Sequence, residues 1–402
     1  MNRLPLAGLA FISVAAISAA EARADMHIDL GGYIRQYVLY ADNDETSTGA
    51  PSDSLRKLDF RREMEIHFTG EKTFANGLTV GAYSEIELGS ESNDASVSTF
   101  PFAGRDPAQF DEGYIYFSGE WGRVNFGAHS GAPFLLQVAA PASDGQLDGM
   151  RVNIQGFNPD VWDDGLENAS LAPPGAFFRL NYDNTDFGIT DRITYLTPKW
   201  NGFQVGVSFS PRPLLPHTVD GAFIGMGLED IPGRFENHAE AAARWDGEVR
   251  GLDISVGAGY ATAEPKVLTA PGAFGSSDIT TWDAGLNIGI GEISIGGAYK
   301  HSDTGVSGPS TETHTYVAGI AWDRMPWHLG ATWYRLELDA NAFSRGLADG
   351  IDLDRITLGG WYALGPGVSL RGGVSFLDVD NGANSTRDPQ QMQAAFGTQV
   401  TF

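Results

Sequence analysis

Apolar and polar residues alternate along most of this chain with a period of two. In residues 57–68, one parity carries leucine, phenylalanine, methionine and isoleucine, with Arg62 as its exception, and the other carries lysine, aspartate, arginine, glutamate and histidine. A β-strand with one apolar face has this period. The pattern recurs in about sixteen segments, so the sequence predicts an all-β chain.

The connections between these segments are alternately short and long. Short turns occur at residues 119–122, 198–202, 246–251, 290–292, 323–327 and 364–367, and Asn76-Gly77 is a strong hairpin signal. Long connections occur at residues 42–56, 89–107, 129–189, 212–237, 263–277, 302–312, 339–350 and 380–389. Outer-membrane barrels combine short periplasmic turns with long external loops, so the asymmetry favours that class over a soluble sandwich.

The polar parity indicates which face meets lipid. It is rich in Gly, Ser, Thr, Asn and charged residues, whereas a soluble barrel of this size needs an apolar interior. We therefore expect a 16-stranded antiparallel transmembrane β-barrel with its apolar face outward. Aromatic residues near strand ends suit interfacial girdles. They are Trp200, Phe203, Trp245, Trp282, Trp322, Trp327 and Trp361.

The first residues have the features of an export signal. Arg3 precedes an apolar run from Leu4 to Ala20, and Ala22-Arg23-Ala24 matches a cleavage site. We expect residues 1–24 to be a cleaved signal peptide and residues 25–402 to form the barrel domain, with a retained anchor as the alternative. No other stretch approaches the roughly 18 apolar residues that a spanning helix needs. The chain has no Cys, which suits but does not prove a periplasmic or outer-membrane location.

Residues 129–189 form the one long segment without a strand pattern. Prolines interrupt it, and a structureless segment of this length is expected to be functional or packed on its surroundings. We interpret it as a loop that folds into the barrel and narrows the bore. Its acidic residues outnumber its two basic ones, Arg151 and Arg179. The candidate constriction acids are Asp144, Asp148, Asp160, Asp163, Asp164 and Glu167, with Asp183 and Asp186 further along.

At this point the chain resembles the general diffusion porins of Gram-negative outer membranes, over essentially all of residues 25–402. The resemblance rests on the hairpin Phe68-Thr69-Gly70-Glu71-Lys72-Thr73-Phe74-Ala75-Asn76-Gly77-Leu78-Thr79-Val80-Gly81-Ala82, on Asp111-Glu112-Gly113-Tyr114-Ile115-Tyr116-Phe117-Ser118-Gly119 with Gly122-Arg123-Val124-Asn125-Phe126-Gly127, on Tyr195-Leu196-Thr197-Pro198-Lys199-Trp200-Asn201-Gly202-Phe203 and on the terminal Phe402. It implies a homotrimer of sixteen-stranded barrels whose third external loop folds inward. It also implies passive diffusion of small hydrophilic solutes, contact with outer-membrane lipid and lipopolysaccharide, and Phe402 as a signal to the barrel assembly machinery. The loop at residues 89–107 is the candidate latch to a neighbouring subunit.

The charges suggest how the bore treats ions. By parity, Arg35, Lys57, Arg61 and Arg123 form a basic wall facing the acidic segment, whereas Arg62 falls on the outward parity. Opposed rows of charge create a transverse field, and the excess of acid predicts weak cation selectivity. The net charge of −25 argues against nucleic acid as a partner. The alternative is that Asp163, Asp164 and Glu167 form a solvated loop face.

Other functions remain open at this point. A substrate-selective channel would need an aromatic track, and Tyr33, Tyr37, Tyr83 and Trp361 share the polar parity without obviously forming one. An outer-membrane barrel enzyme or a secreted soluble β protein are further alternatives, although no catalytic motif is present. We expect no cofactor. Loosely bound Ca²⁺ at the acidic segment is an alternative, although EF-hand spacing is absent. The eight His residues show no ligand spacing.

Overall fold

The computed structural model describes residues 26–43, 57–87, 109–155, 180–184, 188–213, 235–265, 278–303, 312–338, 351–380 and 390–402. The elements are β1 (His27–Asn43), β2 (Leu58–Thr73), β3 (Thr79–Glu87), β4 (Gln109–Gly119), β5 (Gly122–His129), α1 (Ala132–Leu136), β6 (Thr190–Leu196), β7 (Phe203–Ser210), β8 (Phe235–Val249), β9 (Leu252–Pro265), β10 (Ile279–Ile290), β11 (Ile293–Asp303), β12 (Glu312–Arg324), β13 (Trp327–Leu338), β14 (Ile351–Gly365), β15 (Val368–Asp380) and β16 (Gln390–Thr401). Among these residues, no helix has the length and apolar composition needed to cross a bilayer.

The sixteen strands close into one antiparallel barrel. Each strand pairs with its neighbours in the chain, and β1 pairs with β16 to complete the ring. At the end of that pairing, Gly32 and Phe402 exchange two backbone hydrogen bonds of 3.1 Å. A closed barrel pairs every backbone group between strands, which a structure inside lipid requires. The predicted fold class is therefore confirmed.

The two faces of the wall differ as the alternation predicts. In β1, Ile34 and Val38 are 40% and 41% exposed, whereas Tyr37 and Leu39 are buried. Large apolar side chains are exposed in the same way around the other strands. In water each would forfeit the roughly 25 cal/mol per Å² gained on burial, but lipid solvates them without that cost. The outer face is therefore built to contact lipid.

The short turns lie at one end of the barrel. Between β8 and β9, Arg250 and Gly251 both adopt positive φ, at 54° and 82°, the geometry of a two-residue hairpin turn whose twist suits the flanking strands. The connections at the other end fall mainly outside the described residues, at 44–56, 88–108, 214–234, 266–277, 304–311, 339–350 and 381–389. The predicted signal peptide, residues 1–24, also lies outside them.

The aromatic residues near the strand ends face lipid, with one exception. Trp200, Trp282 and Trp327 are exposed at 74%, 42% and 50%. Trp361 instead stacks on His328 at a ring distance of 5.2 Å, and His328 contacts the carbonyl of Ala142 inside the barrel. The girdle assignment of Trp361 is therefore wrong, because its parity places it on the inner face.

Part of the barrel interior is apolar, in contrast to the expected polar inner face. Tyr182 and Ala140, from the segment between β5 and β6, pack against inward-facing residues of β11 to β15. The buried strand residues of this cluster are Ala298, Val317, Tyr334, Leu336, Leu338, Leu353, Leu377 and Val379. The core of the protein therefore lies inside the barrel, between the segment and one side of the wall.

Candidate functional site

The segment that follows β5 lies on a row of glycines along the inner wall. A Cβ at Gly285 of β10 would collide with the carbonyl oxygen of Val138, and a Cβ at Gly319 of β12 would collide with that of Pro141. Only glycine lets two backbones approach so closely. The same segment crowds Gly206 of β7, Gly257 and Gly259 of β9, Gly296 of β11, Gly330 of β13, Gly359 of β14 and Gly373 of β15.

The described part of the segment follows the wall around most of the barrel. Its helix α1 contacts β6 to β9, and residues 138–147 then meet β10 to β15 in order. Leu147 packs beside Tyr37 of β1 and Ala395 of β16, and Asn153 donates a 2.8 Å hydrogen bond to Glu63 of β2. Residues 132–154 thus form a lining on the inside of the wall. The remainder of the predicted constriction loop, at 156–179 and 185–187, lies outside the described residues.

Asp144 and Asp148 hold this lining in place. Asp144 accepts hydrogen bonds from the Tyr37 hydroxyl at 2.7 Å and from Arg371 at 2.9 Å. Asp148 accepts from the backbone amides of Ser143 and Asp144, at 2.9 and 2.8 Å, and from the Thr332 hydroxyl at 2.8 Å. Both carboxylates are buried. Of the predicted acidic group, these two are anchored rather than open to the bore, and Asp160, Asp163, Asp164 and Glu167 lie outside the described residues.

The four predicted basic residues have partners on or beside the wall. Arg35 pairs with Glu63 at 2.6 Å, Lys57 with Asp42 at 2.7 Å and Arg61 with Asp59 at 3.4 Å. Arg123 bonds Asn125 at 2.7 Å and lies over the ring of Tyr116. The cation that meets the segment's Asp144 is instead Arg371, on β15. Arg62 is exposed on the outward parity, as predicted.

Sequence reasoning missed a group of carboxylates on the inner face of β2 to β4. Glu65 and Glu85 flank His67, at 2.8 and 3.6 Å from its Nε2. A β-bulge between Ser84 and Ile86 shifts the pairing with β4, and such a bulge re-aims side chains. Together with Glu63, Asp111 and Glu112, these two carboxylates form the wall group: Glu63, Glu65, Glu85, Asp111 and Glu112.

The wall group meets the segment at Arg151. The Arg151 guanidinium pairs with Asp183 at 2.5 Å. It also interacts electrostatically with Asp111 and Glu112 of the wall group. Partial burial lowers the pKa of Arg151, but these three carboxylates outweigh that effect and raise it above its usual value. Arg151 therefore stays charged and neutralises part of the acid.

A row of rings crosses the inner face of β1 to β5. Tyr33 and His67 are 6.0 Å apart, His67 and Tyr83 are 5.9 Å apart, and Tyr83 and Tyr114 are 5.3 Å apart. His129, at 5.1 Å from Tyr114, ends the row. Two of the four residues considered for an aromatic track, Tyr33 and Tyr83, belong to this row. Tyr37 is instead bonded to Asp144, and Trp361 stacks on His328.

Comparisons with known proteins agree with this architecture. The sequence profile described as Gram-negative porin matches residues 7–382. The chain belongs to the Gram-negative porin family. It is therefore an outer-membrane β-barrel protein that forms a channel.

Solved structures of porins share the fold. An anion-selective porin from Comamonas acidovorans superposes with a TM-score of 0.59 at 17% identity, over 94% of this chain and all of that one. OmpF of Salmonella typhi, in complex with daunomycin, gives 0.59 at 12% identity, over 93% of this chain and 97% of that one. The trimer form of Vibrio cholerae OmpT gives 0.58 at 11%, over 94% of this chain and all of that one. At these identities the likeness shows the fold alone.

A curated relative matches part of the chain. An uncharacterized protein of Rickettsia prowazekii (strain Madrid E) is 25% identical over 196 residues, which are 45% of this chain and 38% of that protein. This chain therefore matches less than two thirds of the relative's length.

Proposed function

We propose that this porin passes small hydrophilic solutes and ions by passive diffusion, with a weak preference for cations. The observation that supports the preference is the wall group. Its five carboxylates line the inner face of β2 to β4, where Arg35 pairs with Glu63 and Arg151 lies near Asp111 and Glu112. In a narrow aqueous passage, an excess of fixed negative charge raises the local concentration of cations.

The segment at residues 129–189 narrows the bore in this proposal. Its described part occupies the lumen by lining the wall and filling one side with packed side chains. The predicted acids Asp163, Asp164 and Glu167 would add negative charge to the remaining passage. Loosely held Ca²⁺ among these acids stays a prediction.

We also propose that the protein assembles as a homotrimer. Strands β5, β6 and β7 contain 8, 7 and 8 residues, fewer than the roughly 9–11 that a tilted strand needs to span a bilayer. A part of the barrel wall made of strands this short suits contact with a neighbouring subunit better than contact with lipid. The trimer form of Vibrio cholerae OmpT has a similar fold. The proposed latch, residues 89–107, lies outside the described part of the chain, and outward-facing Arg62 is a candidate contact.

Planar-bilayer recording across a KCl gradient tests the channel. We expect large conductance steps that close in thirds, with a reversal potential on the cation side. A reversal potential on the anion side would contradict the cation preference while leaving the channel intact. The absence of steps from inserted protein would contradict passive diffusion itself.

A substrate-selective channel is the second candidate, and the ring row favours it. Aromatic rings along a bore offer apolar faces to the rings of sugars and similar solutes. In this case a solute would block the current in a saturable way, and Tyr83→Ala would weaken the block. A conductance that depends only on solute size would favour general diffusion.

A further inference from the structure

Two histidines and a glutamate converge on the outer face of β11 and β12. His301 lies directly opposite His314 in the strand register, and Glu312 precedes His314 by two residues, so all three side chains share one face. His301 has the parity of the exposed Ile293 and Ile295. The cluster is therefore outside the barrel, at the end of the wall opposite the short turns.

The spacing of the three donor atoms suits an ion. Nε2 of His301 is 3.5 Å and Nε2 of His314 is 3.8 Å from the same oxygen of Glu312, and the three atoms lie within 4.8 Å of one another. Both N···O separations are too long for a good hydrogen bond. Four-coordinate Zn²⁺, with bonds of about 2.0–2.1 Å, holds its ligands roughly 3.3 Å apart. Small rotations of the side chains bring all three into range.

Neighbouring aromatic residues orient the two imidazoles. Nδ1 of His314 is 2.7 Å from the hydroxyl of Tyr299. When Nδ1–H donates to that oxygen, Nε2 keeps its lone pair for a metal, an arrangement usual for metal-bound histidine. The ring of His301 stacks on Trp282 at 5.9 Å. Neither imidazole therefore needs to change its place in the wall to serve as a ligand.

The other histidine and carboxylate cluster differs in this respect. In Glu65, His67 and Glu85, Nε2 of His67 already bonds Glu65 at 2.8 Å, and Tyr83 donates to Glu85 at 2.7 Å. The donor atoms of the outer cluster have no such bonds to one another. The outer cluster is also reachable, since His301, His314 and Glu312 retain 17%, 26% and 41% of their side-chain exposure.

We propose that His301, His314 and Glu312 form a binding site for a divalent transition-metal ion, with Zn²⁺ as the ion that suits the donor set. Two imidazoles and a carboxylate are a common set of protein ligands for Zn²⁺. The fourth position faces outward and takes water or another oxygen donor. The bound ion joins the ends of β11 and β12 at the outer rim, on the face of the wall away from the channel.

Zinc titration of the folded protein in detergent tests the site. After removal of metal with a chelator, we expect one Zn²⁺ per chain at this site, bound with micromolar affinity or tighter. His301→Ala and His314→Ala should each abolish this binding. Tyr299→Phe should weaken it about tenfold or more by loosening His314. His27→Ala is the control, because His27 also lies beside a carboxylate, at 2.9 Å from Asp29, but on an exposed strand end.

A second measurement reports the coordination geometry of the bound metal and does not depend on the measured affinity. Co²⁺ in a four-coordinate site has intense visible absorption bands that report its geometry. These bands should appear in the wild type and in His27→Ala, and be absent from His301→Ala. Heat-modifiable migration in electrophoresis confirms that each variant is folded. Unchanged Zn²⁺ binding in the His301→Ala, His314→Ala double variant, or no binding by the wild type, would overturn the proposal.

Discussion

Arg371 of β15 donates a hydrogen bond of 2.9 Å to the Asp144 carboxylate, which lies in the segment that lines the barrel. Asp144 is buried and Arg371 retains 16% of its side-chain exposure. A buried ion pair stabilises poorly compared with apolar packing, but breaking it leaves an uncompensated charge. The lining is therefore tied to the wall by a contact whose loss from one side is costly.

The first prediction concerns this ion pair. Arg371→Met should destabilise the folded protein by roughly 3–5 kcal/mol, because it leaves the buried Asp144 carboxylate without its cationic partner. Unfolding in urea, in detergent or lipid, measures the change. The matched control is Lys57→Met, which breaks a half-exposed pair with Asp42 and should cost no more than about 1 kcal/mol. Equal costs for the two variants would contradict the anchoring role of Asp144.

The second prediction concerns the glycine row. Gly319→Val should lower stability by about 1–3 kcal/mol through overpacking and raise current noise, because its Cβ would displace the lining at Pro141. Gly365→Ala is the control, since a Cβ there meets no atom within 4 Å. Single-channel recording and urea unfolding give the two readouts. A quiet, stable Gly319→Val channel would show that the lining does not depend on this contact.

The third prediction concerns ion preference. The double variant Glu65→Gln, Glu112→Gln should move the reversal potential in a KCl gradient away from the cation side, because it removes two of the five carboxylates of the wall group. Glu120→Gln, in the exposed turn between β4 and β5, removes a charge outside the group and should leave the potential unchanged. Equal shifts of the reversal potential in the double variant and in Glu120→Gln would show that the wall group does not set the ion preference.

The fourth prediction concerns the terminal residue. Phe402→Ala should reduce the amount of protein assembled in the outer membrane of cells, because the resemblance to porins assigns the terminal aromatic to the assembly signal. Refolding in detergent should persist, since the bonds between Gly32 and Phe402 are made by the backbone. Phe396→Ala is the control, because Phe396 is also an exposed phenylalanine and lies on β16, six residues before Phe402. A similar loss of assembly for both variants would argue against a signal at Phe402.

The sequence predicts the barrel because contact with lipid on one face makes apolar and polar residues alternate along each strand, and this alternation is visible within a single strand. Ile34 and Val38 face lipid and Tyr37 faces inward, and period-two alternation suffices to show this. The inward parity of Arg35 was found in the same way. Its partner was not, because Glu63 meets Arg35 only through the pairing of β1 with β2.

The alternation of polar and apolar residues does not predict which residues of different strands come into contact at the site. Asp144 and Arg371 are 227 residues apart, and only closure of the barrel brings them together. Asp111 and Glu112 both lie on the inner face because of the β-bulge in the pairing of β3 with β4, and strict alternation does not predict a bulge. His301 and His314 show no ligand spacing in the sequence, because they come together only through the pairing of β11 with β12. The long-range part of the site therefore required the register of the strands.

The lining also has a consequence for the seam where the first and last strands meet. Asp144 binds Tyr37 of β1 on one side of β16 and Arg371 of β15 on the other, and Leu147 packs behind β16 at Ala395. The lining thus acts as an inner clasp across the seam and opposes lateral opening between β1 and β16. Since the clasp needs strands from both ends of the chain, it can form only when the ring itself closes.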